Sequence, residues 1–61
     1  MEFETWLKKV DEFVYNKLDL HLKDLPDEDF WVHWDNRVTY EVMANKIITN
    51  QYNFLSFMNY N

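Results

Sequence analysis

Seven apolar residues, Phe3, Trp6, Leu7, Val10, Phe13, Val14 and Leu18, recur at spacings of three and four in the first eighteen positions. That spacing places them on one face of an α-helix. Glu4, Lys8, Lys9, Asp11, Glu12 and Asn16 fall largely on the other face. Glu2 and Glu4 suit the positive end of the helix dipole, and Glu4 with Lys8 is an i,i+4 pair in the favourable order. The pattern predicts a helix over about 3–19. Its apolar face must be covered by the rest of the chain or by another molecule.

Little chain remains to cover it. At 61 residues, a protein buries only roughly 60 % of its unfolded surface. Large enzyme folds are excluded. Natural domains of this size lean on disulfides, metals or self-association. The chain has no Cys, so a disulfide framework, a thiolate zinc site and a cysteine nucleophile are out. It has no Gly, which excludes phosphate-cradling loops of the Walker or dinucleotide type. Three Trp, four Tyr and five Phe remain to fill a core. They exceed the needs of three short elements, so some are expected at the surface as a contact site.

Charge is divided along the chain. All 11 acidic residues fall within positions 2–41, and positions 42–61 carry a single charge, Lys46. The net charge of −5 argues against direct nucleic-acid binding, which needs clustered Lys and Arg. No apolar run approaches 18 residues, so no membrane span is expected. The acidic start, Met1-Glu2-Phe3-Glu4, lacks the basic region of a signal peptide. A cytoplasmic protein, used at full length, is expected.

Residues 19–26 read as a connection. Pro26 keeps Leu25 out of helical geometry and suits the first turn of a new helix. A short helix is expected over about 26–35, with Asp24 as its N-cap and Asp27, Glu28 and Asp29 in its first turn. Within it Phe30 and Trp34 share a face, and Asn36 is the expected left-handed terminator. Thr39 is the expected N-cap of a third helix, with Val38 and Met43 at staple positions and an inner face of Met43, Ala44, Ile47 and Ile48. The period continues through Gln51 or Tyr52, then Leu55 and Met58. A helix to about 58 and an extended tail from about 50 are both open. The fold expected is all-α, a small three-helix domain (1–61) with an uncharged aromatic C-terminal extension over 49–61.

The run Phe3-Glu4-Thr5-Trp6-Leu7-Lys8-Lys9-Val10-Asp11, then Leu20, Leu25-Pro26-Asp27, the aromatic stretch Phe30 to Trp34, Thr39-Tyr40-Glu41 and Ala44 resembles a family of small phage and mobile-element proteins. The resemblance covers about positions 3–48. Its members read as a helix, a Leu-Pro-Asp junction, an aromatic-acidic short helix, a Gly turn and a capped helix. This chain departs from them in Asn36-Arg37, where members tend to carry Gly, and in the tail after Asn50. The resemblance implies a three-helix protein of a phage-like genome that binds and modulates a host protein. It implies no catalytic residues.

The residues themselves offer little chemistry. His21 and His33 stand twelve apart, which matches no compact helical metal pattern. The acidic run from Asp24 to Asp35 lacks the Gly that a calcium loop needs. Ser56 and the threonines lack an obvious histidine partner. No cofactor and no catalysis are therefore expected. N-capping and solvation account for most of the carboxylates; the alternative is an acidic face toward a basic partner, in the extreme a mimic of nucleic-acid phosphates. Trp31 and Trp34 are either both core, or Trp34 faces inward with Phe30 while Trp31 faces out as a binding anchor.

The function expected is non-enzymatic binding of a host protein with a basic surface, through Asp27, Glu28, Asp29, Trp31 and Asp35. A phage-type inhibitor, including one of a CRISPR nuclease complex, is the form favoured by size and resemblance. A homodimer is expected, with Ile48, Tyr52, Phe54, Leu55, Phe57 and Met58 in self-association. A self-assembling accessory protein and an antitoxin-like partner of a basic toxin are the alternatives.

Overall fold

The computed structural model describes residues 1–26 and 28–58; the side chains of 53–58 lie outside that description. The elements are α1 (Phe3–Leu18), a single 3-10 turn (Leu22–Asp24), α2 (Phe30–Asp35) and α3 (Tyr40–Met58). The molecule is all-α and measures 43 × 21 × 16 Å.

Helix α1 forms where the apolar stripe predicts it. It ends at Asp19, whose φ of 60° is left-handed and whose N–H donates to the Tyr15 carbonyl at 2.8 Å. Helix α3 starts as the local signals require. Thr39 Oγ1 accepts the Val42 N–H at 3.2 Å, the bond that defines an N-cap. Val38 packs against the core in which Met43 is fully buried, so both staple positions are filled inward. α3 then continues as one helix to Met58, which settles its extent in favour of the longer reading.

The core lies between α1 and α3. It comprises Trp6, Val10 and Val14 from α1, with Met43, Ala44, Ile47 and Ile48 from α3. Phe3, Leu7, Phe13, Leu18, Leu22, Leu25, Phe30, Trp34 and Tyr40 pack around it half-buried. Burying a Met or Val side chain contributes about 1.5–3 kcal/mol. The indole N–H of Trp6 would be costly to leave unpaired in this setting. It donates to the Val38 carbonyl at 2.9 Å and so ties α1 to the segment entering α3.

Two expectations about the middle of the chain are corrected. The second helix begins at Phe30, not near 26. Asp24 does not cap it: Asp24 belongs to the 3-10 turn, with its N–H on the His21 carbonyl at 2.9 Å. A helix entered through Pro26 would have Leu25 at its cap, and Leu25 offers no side-chain acceptor. Leu25 is instead extended, at φ −116° and ψ 161°. The second correction concerns the turn after α2. Asn36 is not left-handed, at φ −81°; Arg37 is, at φ 64°. The Arg37 N–H reaches the Trp34 carbonyl at 2.9 Å and the Val38 N–H reaches the His33 carbonyl at 3.0 Å. These two bonds make a Schellman closure with Arg37 in the position usually given to glycine.

Candidate interaction face

Four aromatic rings meet at the N-terminal end of α1. The Phe3 ring lies 5.1 Å from Trp31 at 65° and 5.6 Å from Trp34 at 72°. Trp31 and Trp34 are 5.0 Å apart, and Phe3 stacks on Trp6 at 6.1 Å. Edge-to-face pairs of this kind contribute about 0.5–1.5 kcal/mol beyond their buried area. The Trp34 indole N–H donates to the Met1 carbonyl at 3.0 Å, so the chain start is fastened to α2. A depression of about 460 Å³ beside it is lined by Met1, Trp6, Trp34, Asp35, Arg37 and Val38.

Within this cluster Trp31 faces outward. It is 58 % exposed, while Phe30 and Trp34 are half-buried against the core. Its ring is nevertheless held on one side by Phe3 and Trp34. Asp35 lies four residues on along α2, on the same face by helical spacing, and is exposed. Asp29 is also exposed and makes no side-chain cap bond to α2. Glu28 is half-buried, beside a hollow lined by Leu25, Pro26, Ile47, Asn50 and Gln51. Asp27 lies outside the described residues. Among the described residues the only ion pair is that of Asp11 with His21, so Glu28, Asp29 and Asp35 neutralise no cation. Asp24 lies inside the 3-10 turn and Asp29, at the cap position of α2, makes no side-chain cap bond, so of capping and solvation it is solvation that accounts for these two exposed carboxylates.

The residues expected to self-associate are placed differently. Ile48 is 7 % exposed and belongs to the core within one chain, so it is not available to a second copy. Tyr52 is 54 % exposed. The side chains of Phe54, Leu55, Phe57 and Met58 lie outside the described residues.

Two polar ties were invisible in the sequence. Asp11 Oδ1 accepts the Leu22 N–H at 2.7 Å, and its Oδ2 is 3.0 Å from His21 Nδ1. Tyr15 stacks on the His21 ring at 4.4 Å. Partial burial would raise the Asp11 pKa. The Leu22 N–H, the His21 bond and the nearby His21 and Lys23 charges outweigh it and hold the carboxyl below its ordinary 3.8. The second tie is His33, whose Nδ1 donates to the Asp29 carbonyl at 2.7 Å. Its Nε2 accepts from the Lys46 ammonium at 2.9 Å, linking α2 to α3. Ten and thirteen residues separate the side-chain partners, and no local spacing rule relates them. Among the described residues, no three His, Asp or Glu side chains converge, and no helix is long and apolar enough to cross a membrane.

These features define a small three-helix domain with an exposed acidic-aromatic face on its shortest helix. Compared with known protein families, curated proteins and solved structures, the chain matches none.

Proposed function

We propose that this chain is a non-enzymatic protein-binding modulator that covers a basic surface on its target through α2. The observation that carries the reading is Trp31: a large aromatic ring 58 % exposed, yet braced by Phe3 and Trp34. A braced indole loses little freedom on binding and is a typical anchor. The carboxylate of Asp35, one helical turn on from Trp31, supplies steering toward Lys and Arg, and Asp29 adds an exposed charge at the start of α2. Asp27 and Glu28 extend the same acidic segment in the sequence. The mechanism is steric occlusion, with affinity from the aromatic anchor and on-rate from charge. Its small size, acidic balance and resemblance to phage proteins favour inhibition of a host protein in the host cytoplasm, a CRISPR-type defence complex among the targets.

The test is affinity capture from nuclease-treated host lysate with wild type, Trp31→Ala and an Asp29→Lys/Asp35→Lys double variant. Circular dichroism checks that each variant remains helical. One host protein retained near stoichiometry by wild type, lost by both variants and weakened by added salt, is expected. Retention unchanged in both variants refutes the assignment of this face.

A further inference from the structure

Helix α2 is six residues long, too short to keep helical geometry by itself. The rest of the chain holds it, and from two sides. On the α1 side the Trp34 indole donates to the Met1 carbonyl, and the Phe3 ring braces Trp31 and Trp34. On the α3 side, among the described residues, the one side-chain hydrogen bond is that between His33 and Lys46.

The chemistry of its two partners fixes the state of the His33 ring. Nδ1 lies 2.7 Å from the Asp29 carbonyl, which can only accept, so Nδ1 carries the hydrogen. Nε2 lies 2.9 Å from the Lys46 ammonium, which can only donate, so Nε2 is bare. The ring is therefore neutral, and both of its nitrogens are engaged. The Asp29 carbonyl also accepts the His33 backbone N–H at 3.1 Å. The ring is thus fastened to the first turn of α2, and whatever acts on Nε2 is passed to that helix.

We propose that His33 and Lys46 form a proton-operated clasp that governs how firmly α2 is seated on α3. A proton binds the Nε2 lone pair, which is the acceptor for the Lys46 N–H. That hydrogen bond breaks, both groups are then cations, and they repel each other. Nδ1 keeps its bond to Asp29, so the tie to α3 alone is lost. The step needs only a proton from solvent, and the half-buried ring is open to it.

The charged groups around the ring supply no replacement for the bond. Glu28 precedes α2, and Asp29, Asp35 and Arg37 stand on it and its closing turn. Glu2 and Glu4 lie at the end of α1 that meets α2, and Glu41 and Lys46 lie on α3. Among the described residues no carboxylate forms an ion pair with His33. His21 is the opposite case. A proton there meets the Asp11 carboxylate at 3.0 Å, whereas a proton on His33 meets an ammonium. Acidification through the ordinary imidazole range, near about pH 6.5, reinforces the first tie and opens the second.

The consequence for binding rests on the function proposed above. Trp31 stands two residues before His33 on α2. A loosened α2 loses the pre-organisation that makes Trp31 an anchor, and a cationic His33 opposes a basic target.

The clasp is tested on the free full chain by NMR. At about pH 8 the ring nitrogen shifts of His33 should show hydrogen on Nδ1 and none on Nε2, the reverse of the preference of a free histidine side chain. Hydrogen-exchange protection of the α2 amides, relative to those of α1, should fall roughly two- to fivefold from about pH 7.5 to about pH 5.5, the size of an exposed charged contact. Lys46→Met leaves the ring nothing to expel, and His33→Gln leaves nothing to titrate, so neither should show that fall. A ring with its hydrogen on Nε2 overturns the inference, and so does a fall of the same size in Lys46→Met. These measurements need no binding partner, so they stand or fall apart from the Trp31 assignment. With a captured target, retention by wild type should drop by the same factor over this pH range and hold in His33→Gln. Equal loss in both overturns the control of binding.

Discussion

Arg37 occupies a backbone conformation that costs an L-residue free energy, and its replacement isolates that cost. Its φ is 64°, in the left-handed region where the β-carbon crowds the following carbonyl. The penalty for a residue other than glycine is roughly 1–2 kcal/mol. Glycine removes it, but loses more backbone freedom on folding, by about 0.5–1 kcal/mol. The Arg37 side chain is exposed and makes no ion pair among the described residues, so little else is lost. Arg37→Gly is therefore expected to stabilise the protein by about 0.75 kcal/mol, the difference between the midpoints of the two ranges. In a domain this small, that raises the melting temperature by about 2–8 °C. The control is Asn36→Gly. Asn36 sits at φ −81° with its N–H on the Val32 carbonyl, where glycine brings only the entropic loss. That variant should be neutral to destabilising. The assay is thermal and urea unfolding followed by far-UV circular dichroism at one fixed protein concentration, because association would shift the midpoint. Stabilisation by Asn36→Gly together with none by Arg37→Gly would refute the assignment of the left-handed residue. It would restore Asn36 as the terminator.

Met43→Ala should remove about 2–5 kcal/mol, a large share of the roughly 3–9 kcal/mol available to a chain of this length, and urea unfolding would show most of the cooperative transition lost. Thr39→Ala removes the acceptor for the Val42 N–H and should cost about 1 kcal/mol in the same assay. Asp11 titrates lower when folded than when unfolded. Its stabilisation is therefore full above the ordinary carboxylate value of about 4 and is lost as pH falls through the lower folded value. Asp11→Asn should flatten that part of the acid limb of the stability curve, measured as urea midpoint against pH; an unchanged limb would remove Asp11 as its source.

The sequence by itself determined what neighbouring residues can settle. The stripe from Phe3 to Leu18 fixes α1, because three- and four-residue spacing has one helical meaning. Thr39, with Val38 before it and Met43 after, fixes the start of α3, because cap and staple act within six residues. The same local logic named Met43, Ala44, Ile47 and Ile48 as the inner face and offered Trp31 as an outward ring. It failed where a residue's role depends on contacts distant in sequence. Asp24 looks like a cap, but the 3-10 turn holds its backbone while Asp11 anchors His21 and Leu22, ten and eleven residues away. Asn36 is the better left-handed residue by intrinsic preference, yet Arg37 takes that conformation. The turn must carry the chain from Trp34, fastened to Met1, to Val38, fastened to Trp6, and those long-range bonds fix which residue bends. Ile48 stands both on the expected inner face and among the expected self-association residues, and the tertiary structure decided for the core, leaving Val42, Asn45, Thr49 and Tyr52 outside. Periodicity gives the faces of a helix; which face meets the rest of the chain is decided by packing.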